Sequence, residues 1–331
     1  MKRWVTTALA AALAVSLLGG CSSGGSQKKE LIFANAGWDS IQFHNAVAGF
    51  IAESAFGYQK WDNLTGSTPV MHEGLLKGEV DVHMEVWTDN IASYQEDLAA
   101  NRFREMGINF DAPAGGFYVP RYVIEGDAAR GLKALAPDLK TVADLLKYKE
   151  LFPDDEKAGR SRIYGAIPGW EADTIHFAKY SHHGLDAAFE YFRPGSDAAL
   201  AAAYTAAYTK GEPIVGYYWE PTWLMGKYDF VRLEEQAYTN KEDYWKGACR
   251  GPEMHVTVAV SNKFAEKDPE FCAFLQKYHT TSKMTGEALA YMQETGASHL
   301  EAAKWFLQQN DELLEQFLTA EQAQMVRDAL K

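Results

Sequence analysis

Short apolar segments, each followed by a helical pattern, constrain the fold of this chain more than any other feature. Residues 30–35 are predicted to form a strand, after which apolar positions recur every three or four residues as far as Gly57. A second helix is predicted over residues 69–77, because a proline begins it and Gly78 follows it. Residues 80–86 then read as a strand. This β-α-α-β order predicts the α/β class, with a mostly parallel sheet covered by helices.

The middle of the chain is also predicted to alternate strands and helices, although its sequence does not repeat that of the first part. The predicted segments are strands over residues 163–167 and 214–218, a helix over residues 173–182, a helix that Ser196 caps and that runs to residue 210, and a short helix that begins at Pro221 and Thr222. Beyond a strand over residues 255–260, the chain is predicted to be helical from Pro269 onward with few breaks.

The length of the chain indicates two domains. Its 331 residues exceed what one hydrophobic core usually serves. We expect lobe 1 to comprise residues 30–121 and 252–331, and lobe 2 to comprise residues 122–251. The chain would then cross between the lobes twice, near residues 119–123 and again near residues 250–253.

The N-terminus is typical of a targeting segment. Lys2 and Arg3 precede an apolar stretch that is too short to span a bilayer. The sequence Leu-Gly-Gly before Cys21 fits a bacterial lipoprotein signal, in which that cysteine is acylated after cleavage. We therefore expect a signal peptide over residues 1–20 and a lipid-anchored tether over residues 21–29. An ordinary cleaved signal peptide with an incidental cysteine is the alternative.

Charge and cysteine content exclude two classes of function. The net charge of −13 argues against nucleic-acid binding, because phosphate neutralisation needs a basic stripe and none is present. Cys249 and Cys272 are not spaced as zinc ligands. In an exported protein they fit a disulfide and two buried free thiols equally well.

The chain carries no sign of catalysis. It has no HExxH, GxSxG or glycine-rich phosphate motif. His182 and His183 are adjacent on a predicted helix, so their side chains point about 100° apart and cannot share one metal ion. We therefore expect no enzyme, no cofactor and no metal.

Three of the nine tryptophans lie where predicted strands end: Trp87, Trp170 and Trp219. Ligands of open α/β sheets bind beyond the carboxyl ends of the strands. Several electron-rich indole faces around one point attract a cation that water no longer hydrates well. These residues are therefore predicted to form a cage for a quaternary ammonium group. Packing in the core or between the lobes is the alternative for each of them.

Further residues are expected to complete this site. Trp223 is predicted to be a supporting wall, and Trp38 is either a fourth wall or a lid. A zwitterionic ligand also needs its carboxylate held, which backbone N–H groups at a helix N-terminus can do. The turn that contains Asp39 and the turn that contains Glu171 both qualify, and the sequence does not choose between them.

Acidic residues accompany the predicted cage. Carboxylates could balance a cation that has none of its own, such as choline. Solvated charges on the rim of a cleft are the commoner role, and we expect that role here. The residues concerned are Asp39, Glu85, Asp89, Glu171 and Glu220.

At these residues the chain resembles the glycine betaine/proline betaine/choline substrate-binding proteins of ABC transporters. The resemblance covers nearly all of residues 30–331. Its most specific parts are residues 78–82 running to Trp87, the Ile-Pro-Gly before Trp170, the Trp-x-Pro-x-Trp core at residues 219–223, and the strand and turn at residues 255–263.

The resemblance implies a two-lobed, type II periplasmic-binding-protein-like fold with a two-crossover hinge. It implies an extracytoplasmic protein that captures glycine betaine or a similar compound and delivers it to ABC permease subunits in the membrane, for osmoprotection or nutrition. Carried over by motif, Gly169, Trp170 and Glu171 would approach the ligand's carboxylate through their backbone. Residues 224–226 provide no histidine that could assist them, unlike some members.

Two other functions stay open at this point. One is a binder of the same fold for carnitine, choline, an amino acid or a polyamine. The other is an exported enzyme or adhesive lipoprotein whose aromatic residues stack on sugars.

Overall fold

The computed structural model describes residues 30–112 and 115–331. The expected signal peptide, the tether and the lipidation site at Cys21 lie outside the described residues. Within the described ranges, the chain forms two five-stranded sheets with helices packed around them. None of the helices in those ranges has the length and apolar character that a bilayer crossing requires.

The secondary structure follows the alternation that the sequence indicates. The strands are β1 (Leu31–Asn35), β2 (Trp61–Thr65), β3 (Val82–Trp87), β4 (Phe103–Ala112), β5 (Gly116–Pro120), β6 (Ser161–Tyr164), β7 (Phe189–Phe192), β8 (Gly216–Tyr218), β9 (Phe230–Arg232) and β10 (Met254–Ser261). The helices are α1 (Asp39–Ala55), α2 (Thr68–Lys77), α3 (Tyr94–Ala99), α4 (Arg121–Glu125), α5 (Glu171–His182), α6 (Asp197–Lys210), α7 (Trp223–Lys227), α8 (Lys241–Trp245), α9 (Asn262–Lys267), α10 (Pro269–Leu275), α11 (Ser282–Thr295), α12 (His299–Gln309), α13 (Glu312–Phe317) and α14 (Ala320–Ala329).

Lobe 1 is built on a sheet with the strand order β2-β1-β3-β10-β4. Strand β1 pairs in parallel with β2 and β3, whereas β10 runs antiparallel to both β3 and β4. Strand β10 comes from the far end of the chain. Two segments therefore build this lobe, residues 30–112 and residues 254–331.

Lobe 2 is built on a sheet with the order β7-β6-β8-β5-β9. Strand β6 is parallel to β7 and β8, and β5 is antiparallel to β8 and β9. Because Phe117 pairs with Tyr217 of β8, the chain has entered lobe 2 by residue 116. The first crossing thus lies between Ala112 and Gly116, upstream of the expected boundary at residue 121.

Local sequence signals set several of the element ends. Helix α2 ends at Lys77 because Gly78 takes a left-handed conformation, with φ at 70°, and its N–H bonds the carbonyls of Gly74 and Leu75. The Oγ of Ser196 accepts a hydrogen bond from Ala199 N and so caps α6, as predicted. The two cysteines, Cys249 and Cys272, are both free and buried.

Candidate functional site

Four tryptophans line one cavity between the lobes. Trp38 and Trp87 belong to lobe 1, and Trp170 and Trp219 belong to lobe 2. The ring of Trp170 stands nearly perpendicular to that of Trp38, at 86° and 5.3 Å between centroids. It is also nearly perpendicular to the ring of Trp219, at 87° and 5.1 Å. Three of the rings therefore form adjoining walls at right angles.

The ends of secondary-structure elements place all four indoles. Trp87 is the last residue of β3, and Trp219 directly follows β8. Trp38 and Trp170 are the extended residues that precede α1 and α5. Strand β6 ends at Tyr164, earlier than predicted, so Trp170 is delivered by the turn before α5 and not by the strand itself.

Stacked aromatic side chains support the lobe 2 half of the cavity. Tyr217 and Tyr218 both lie nearly parallel to Trp219, with centroids 5.6 Å and 5.0 Å away. The imidazole ring of His176 packs against the ring of Tyr217, with 4.4 Å between the two ring centroids. These side chains are all buried, so Trp219 is fixed by packing.

The lobe 1 half rests on a buried carboxyl group, Glu85, which has no solvent exposure. Its Oε1 accepts hydrogen bonds from Trp38 Nε1 at 2.7 Å, Trp87 Nε1 at 2.9 Å and Ser40 Oγ at 2.9 Å. Its Oε2 has no hydrogen-bond partner among the described residues. Burial raises the pKa of Glu85 to about 7, although the three donors oppose that shift. The expectation of a solvated rim charge is therefore wrong for Glu85.

The remaining cavity lining supplies no cationic side chain from the described part of the chain. His83 is buried there, and burial lowers its pKa to about 3, so its ring is neutral at pH 7. Glu171 is half-buried, and burial raises its pKa. Ala172, which belongs to the same predicted turn as Glu171, also lines the cavity. The lining residues that the sequence patterns did not indicate are Thr68, Asn90, Ile91 and Tyr217. His83 is two residues before Glu85 on the same strand, so both side chains lie on one face of the sheet. This spacing is the sequence signal that could have identified His83.

The two helix N-termini considered for a carboxylate differ in position. Glu171 and Ala172 at the start of α5 line the cavity, and within the described ranges their N–H groups have no hydrogen-bond partner. Asp39 at the start of α1 lines a different cavity, together with Asp197 of lobe 2. Burial and the Asp39 carboxylate raise the pKa of Asp197. Of these two starts, α5 is the one that opens into the tryptophan cavity.

Gly169 connects the lobes without lining the cavity. Its carbonyl oxygen accepts a hydrogen bond from Thr68 N at 3.0 Å. Its φ is 93°, and an added Cβ would lie 3.2 Å from the Cβ of Ser67. Beside it Trp170 Nε1 donates to the carbonyl oxygen of Ala36 at 2.9 Å. The two lobes are thus in contact across the cleft.

Trp223 and Glu220 lie outside the tryptophan cavity. Both line a separate groove between α7 and α11, where Lys227 Nζ lies 6.0 Å from the centre of the Trp223 ring. Asp89 is half-buried next to Thr88 and does not line the tryptophan cavity either.

A protein-family model matches residues 29–309 of the chain, and its description is the substrate binding domain of an ABC-type glycine betaine transport system. The trimethylamine N-oxide-binding protein of Pelagibacter ubique is 24% identical over 314 residues, which cover 94% of this chain and 97% of that protein.

Several solved structures share the fold. A choline-binding protein of an ABC transporter, in complex with choline, superimposes with a TM-score of 0.69 at 19% identity, over 91% of this chain and 98% of that chain. The glycine/betaine/L-proline-binding protein of Borrelia burgdorferi gives a TM-score of 0.70 at 17% identity, over 90% and 99%. Lactococcal OpuAC, in its closed conformation with glycine betaine, gives a TM-score of 0.64 at 20% identity, over 88% of this chain and 100% of that chain. The expected two-lobed, type II binding-protein fold is confirmed.

Proposed function

Since the chain belongs to the family of substrate-binding domains of ABC-type glycine betaine transport systems, we propose that its tryptophan cavity captures a quaternary ammonium compound or a related methylated amine. The family consists of extracytoplasmic solute-binding proteins that work with ABC permeases, and not of enzymes. The specific proposal for this chain is that Trp38, Trp87, Trp170 and Trp219 together surround the methylated nitrogen.

The observation that carries this proposal is the convergence of four indoles from both lobes on one cavity. A desolvated cation over an indole face gains on the order of 2 kcal/mol. Several such contacts, with hydrogen bonds to the rest of the ligand, reach the roughly 8 kcal/mol that corresponds to micromolar affinity. The lining contains no lysine or arginine among the described residues that would repel a cation.

The relatives support the same ligand class. By their names, three of them bind trimethylamine N-oxide, choline or glycine betaine. A nitrogen that carries three methyl groups is common to all of these molecules. We therefore infer a site for that group, with the opposite end of the ligand left to other residues.

Closure of the lobes is the step that we propose to trap the ligand. The hydrogen bonds from Thr68 N to Gly169 and from Trp170 Nε1 to Ala36 join lobe 1 to lobe 2 beside the cavity. The two passages of the chain from one lobe to the other would act as the hinge. A carboxylate on the ligand, where there is one, would face the free N–H groups at the start of α5.

We also propose that Cys21 anchors the protein to the membrane through a lipid. The support is the Leu-Gly-Gly sequence before this cysteine and the polar tether after it. An anchored binding protein would remain close to its permease. Palmitate labelling of the wild-type protein and of Cys21→Ser tests this, since the variant should incorporate no label.

Calorimetric titration of the Cys21→Ser protein tests the ligand proposal. The ligands are glycine betaine, proline betaine, choline, carnitine and trimethylamine N-oxide, and tryptophan fluorescence is recorded in parallel. We expect micromolar binding of at least one of them. The control ligand is 3,3-dimethyl-1-butanol, the uncharged carbon analogue of choline, which we expect to bind at least tenfold more weakly than choline.

Variants locate the binding to the cavity. Trp87→Ala and Trp219→Ala should each weaken binding at least tenfold. Trp305→Ala should not, because that ring stacks on Tyr291 at 4.4 Å among the C-terminal helices. Small and equal effects from all three variants would show that the ligand binds elsewhere. Absence of binding across the panel would favour an amino acid, a polyamine or a sugar.

A further inference from the structure

The polar end of the ligand is the part of recognition that the tryptophans do not explain. Glu85 lines the cavity, and one of its two oxygens is unused among the described residues. Building on the proposed function, we propose that Oε2 of Glu85 accepts a hydrogen bond from the ligand. The site then selects choline-type alcohols, which carry a positive charge, a hydroxyl group and no carboxylate, over betaines.

The two carboxyl oxygens of Glu85 differ in their hydrogen bonds, and this difference supports the assignment. Oε1 is saturated, because Trp38, Trp87 and Ser40 all donate to it. The indole N–H groups of Trp38 and Trp87 therefore already donate to Glu85 and are not free to hold the ligand. Oε2 is buried and has lost its hydration without a replacement from the described chain. A hydroxyl donor on a ligand in the cavity would restore that hydrogen bond.

The charges of the lining favour the same class of ligand. Glu85 and Glu171 are its carboxyl groups, and no lysine or arginine of the described residues lines the cavity. The N-terminus of α5 supplies positive potential, but the carboxyl group of Glu171 lies in its first turn. The carboxylate of Asp173 in the same turn is paired with Arg193. A betaine would bring another carboxylate next to Glu85 and Glu171. A choline-type cation brings only the charge that the cavity lacks.

Proton uptake by Glu85 should then compete with the ligand. Burial raises the pKa of Glu85 to about 7, while burial lowers the pKa of His83 on the same strand and of His44 on α1 to about 3. Burial keeps the pKa of Tyr217 and of Tyr278 well above 10. Glu171 of α5 also has a pKa raised by burial and is the remaining acid that faces the site.

The sign of the linkage follows from this arrangement. A bound cation favours the ionised carboxylate, so choline binding near pH 7 should release protons from Glu85. Choline affinity should fall as the pH drops below 7, approaching a tenfold loss for each pH unit. Trimethylamine N-oxide, whose oxygen only accepts hydrogen bonds, should not show that loss.

The experiment titrates choline, glycine betaine and trimethylamine N-oxide into the Cys21→Ser protein at pH 8. The same titrations are made with two further proteins, in which Glu85→Gln or the matched control Asp81→Asn is added to Cys21→Ser. Asp81 is a nearby carboxyl whose pKa burial also raises, and it accepts its hydrogen bond from Ile32 N outside the cavity. We expect choline to bind at least tenfold more tightly than betaine. Glu85→Gln should remove that preference, and Asp81→Asn should retain it within threefold.

A second measurement needs no substitution at Glu85. Choline titrations at pH 7 in two buffers with different ionisation heats report the protons released on binding. Absence of proton release would overturn the proposal. An equal loss for all three ligands in Glu85→Gln would overturn it as well, because Glu85 would then only hold the indoles. A wild-type preference for betaine would overturn it while leaving the proposed function intact, whereas no binding of any ligand would refute the proposed function itself.

Discussion

The two halves of the tryptophan cavity are held in different ways. In lobe 1, Trp38 and Trp87 are oriented by hydrogen bonds to a single titratable group, Glu85. In lobe 2, Trp219 is fixed by the stacked rings of Tyr217 and Tyr218. Protonation of Glu85 therefore acts on the hydrogen bonds that hold the lobe 1 indoles, whereas packing holds Trp219 in lobe 2.

The largest effect is expected for Trp170→Ala, which removes the wall that touches both halves. The variant loses a cation–π contact worth about 2 kcal/mol and the hydrogen bond to Ala36, worth about 1 kcal/mol. Calorimetry should show a loss of affinity of about 100-fold. Trp170→Phe should recover part of it, since a ring face returns without the N–H donor. Equal affinities for the Phe and Ala variants would mean that the wall contributes no ring contact.

A smaller effect, about tenfold in affinity, is expected for Gly169→Ala. An alanine at this residue must keep a positive φ and press its Cβ against Ser67, so the closed form is penalised. Gly184→Ala is the control, because its φ is 65° and no atom lies within 4 Å of an added Cβ. Both variants should lose roughly 1–2 kcal/mol of stability from backbone strain. Only Gly169→Ala should bind the ligand more weakly than the wild type does. Calorimetric titration of both variants and the wild type at one pH measures this difference.

The smallest effect is expected for Ser40→Ala, which acts only on the lobe 1 half. The substitution removes one of the three donors that favour ionised Glu85, so the pKa of that carboxyl should rise further. Choline affinity at pH 7 should fall about threefold, because less of the protein carries the charged carboxylate. At pH 9 the variant and the wild type should bind equally. A difference that persists at pH 9 would assign Ser40 a role apart from the charge of Glu85.

The sequence was sufficient to predict the two-lobed α/β fold and the strand ends at which two of the cavity tryptophans lie. Apolar strands followed by turns are local features, so the sequence alone assigns Trp87 and Trp219 to strand ends, where the fold has them. In the structure the strands of the first sheet come from two segments of the chain, and residue 116 already belongs to the second sheet. The strands that were missed include β2 and β4, which lie at the sheet edges and carry charged or polar residues among apolar ones.

The buried state of Glu85 could not be predicted in the same way. An acidic residue next to a strand end is usually solvated. Its burial here results from the indoles of Trp38 and Trp87, which come together only in the folded lobe. The position of the α1 N-terminus has a similar origin, because Asp39 lines a separate cavity together with Asp197 from the other lobe. Such long-range contacts leave no local pattern in the sequence.

The position of β10 has a consequence for how the molecule is made. This strand lies between β3 and β4, yet the whole of lobe 2 separates it from them along the chain. As the chain emerges from its N-terminal end, β3 and β4 must wait with an open gap between them until residues 254–261 have followed. Lobe 2, which is continuous in sequence, can acquire its structure first. Pairings over so long a separation are slow to form, so the nascent lobe 1 is the half that most needs protection from aggregation.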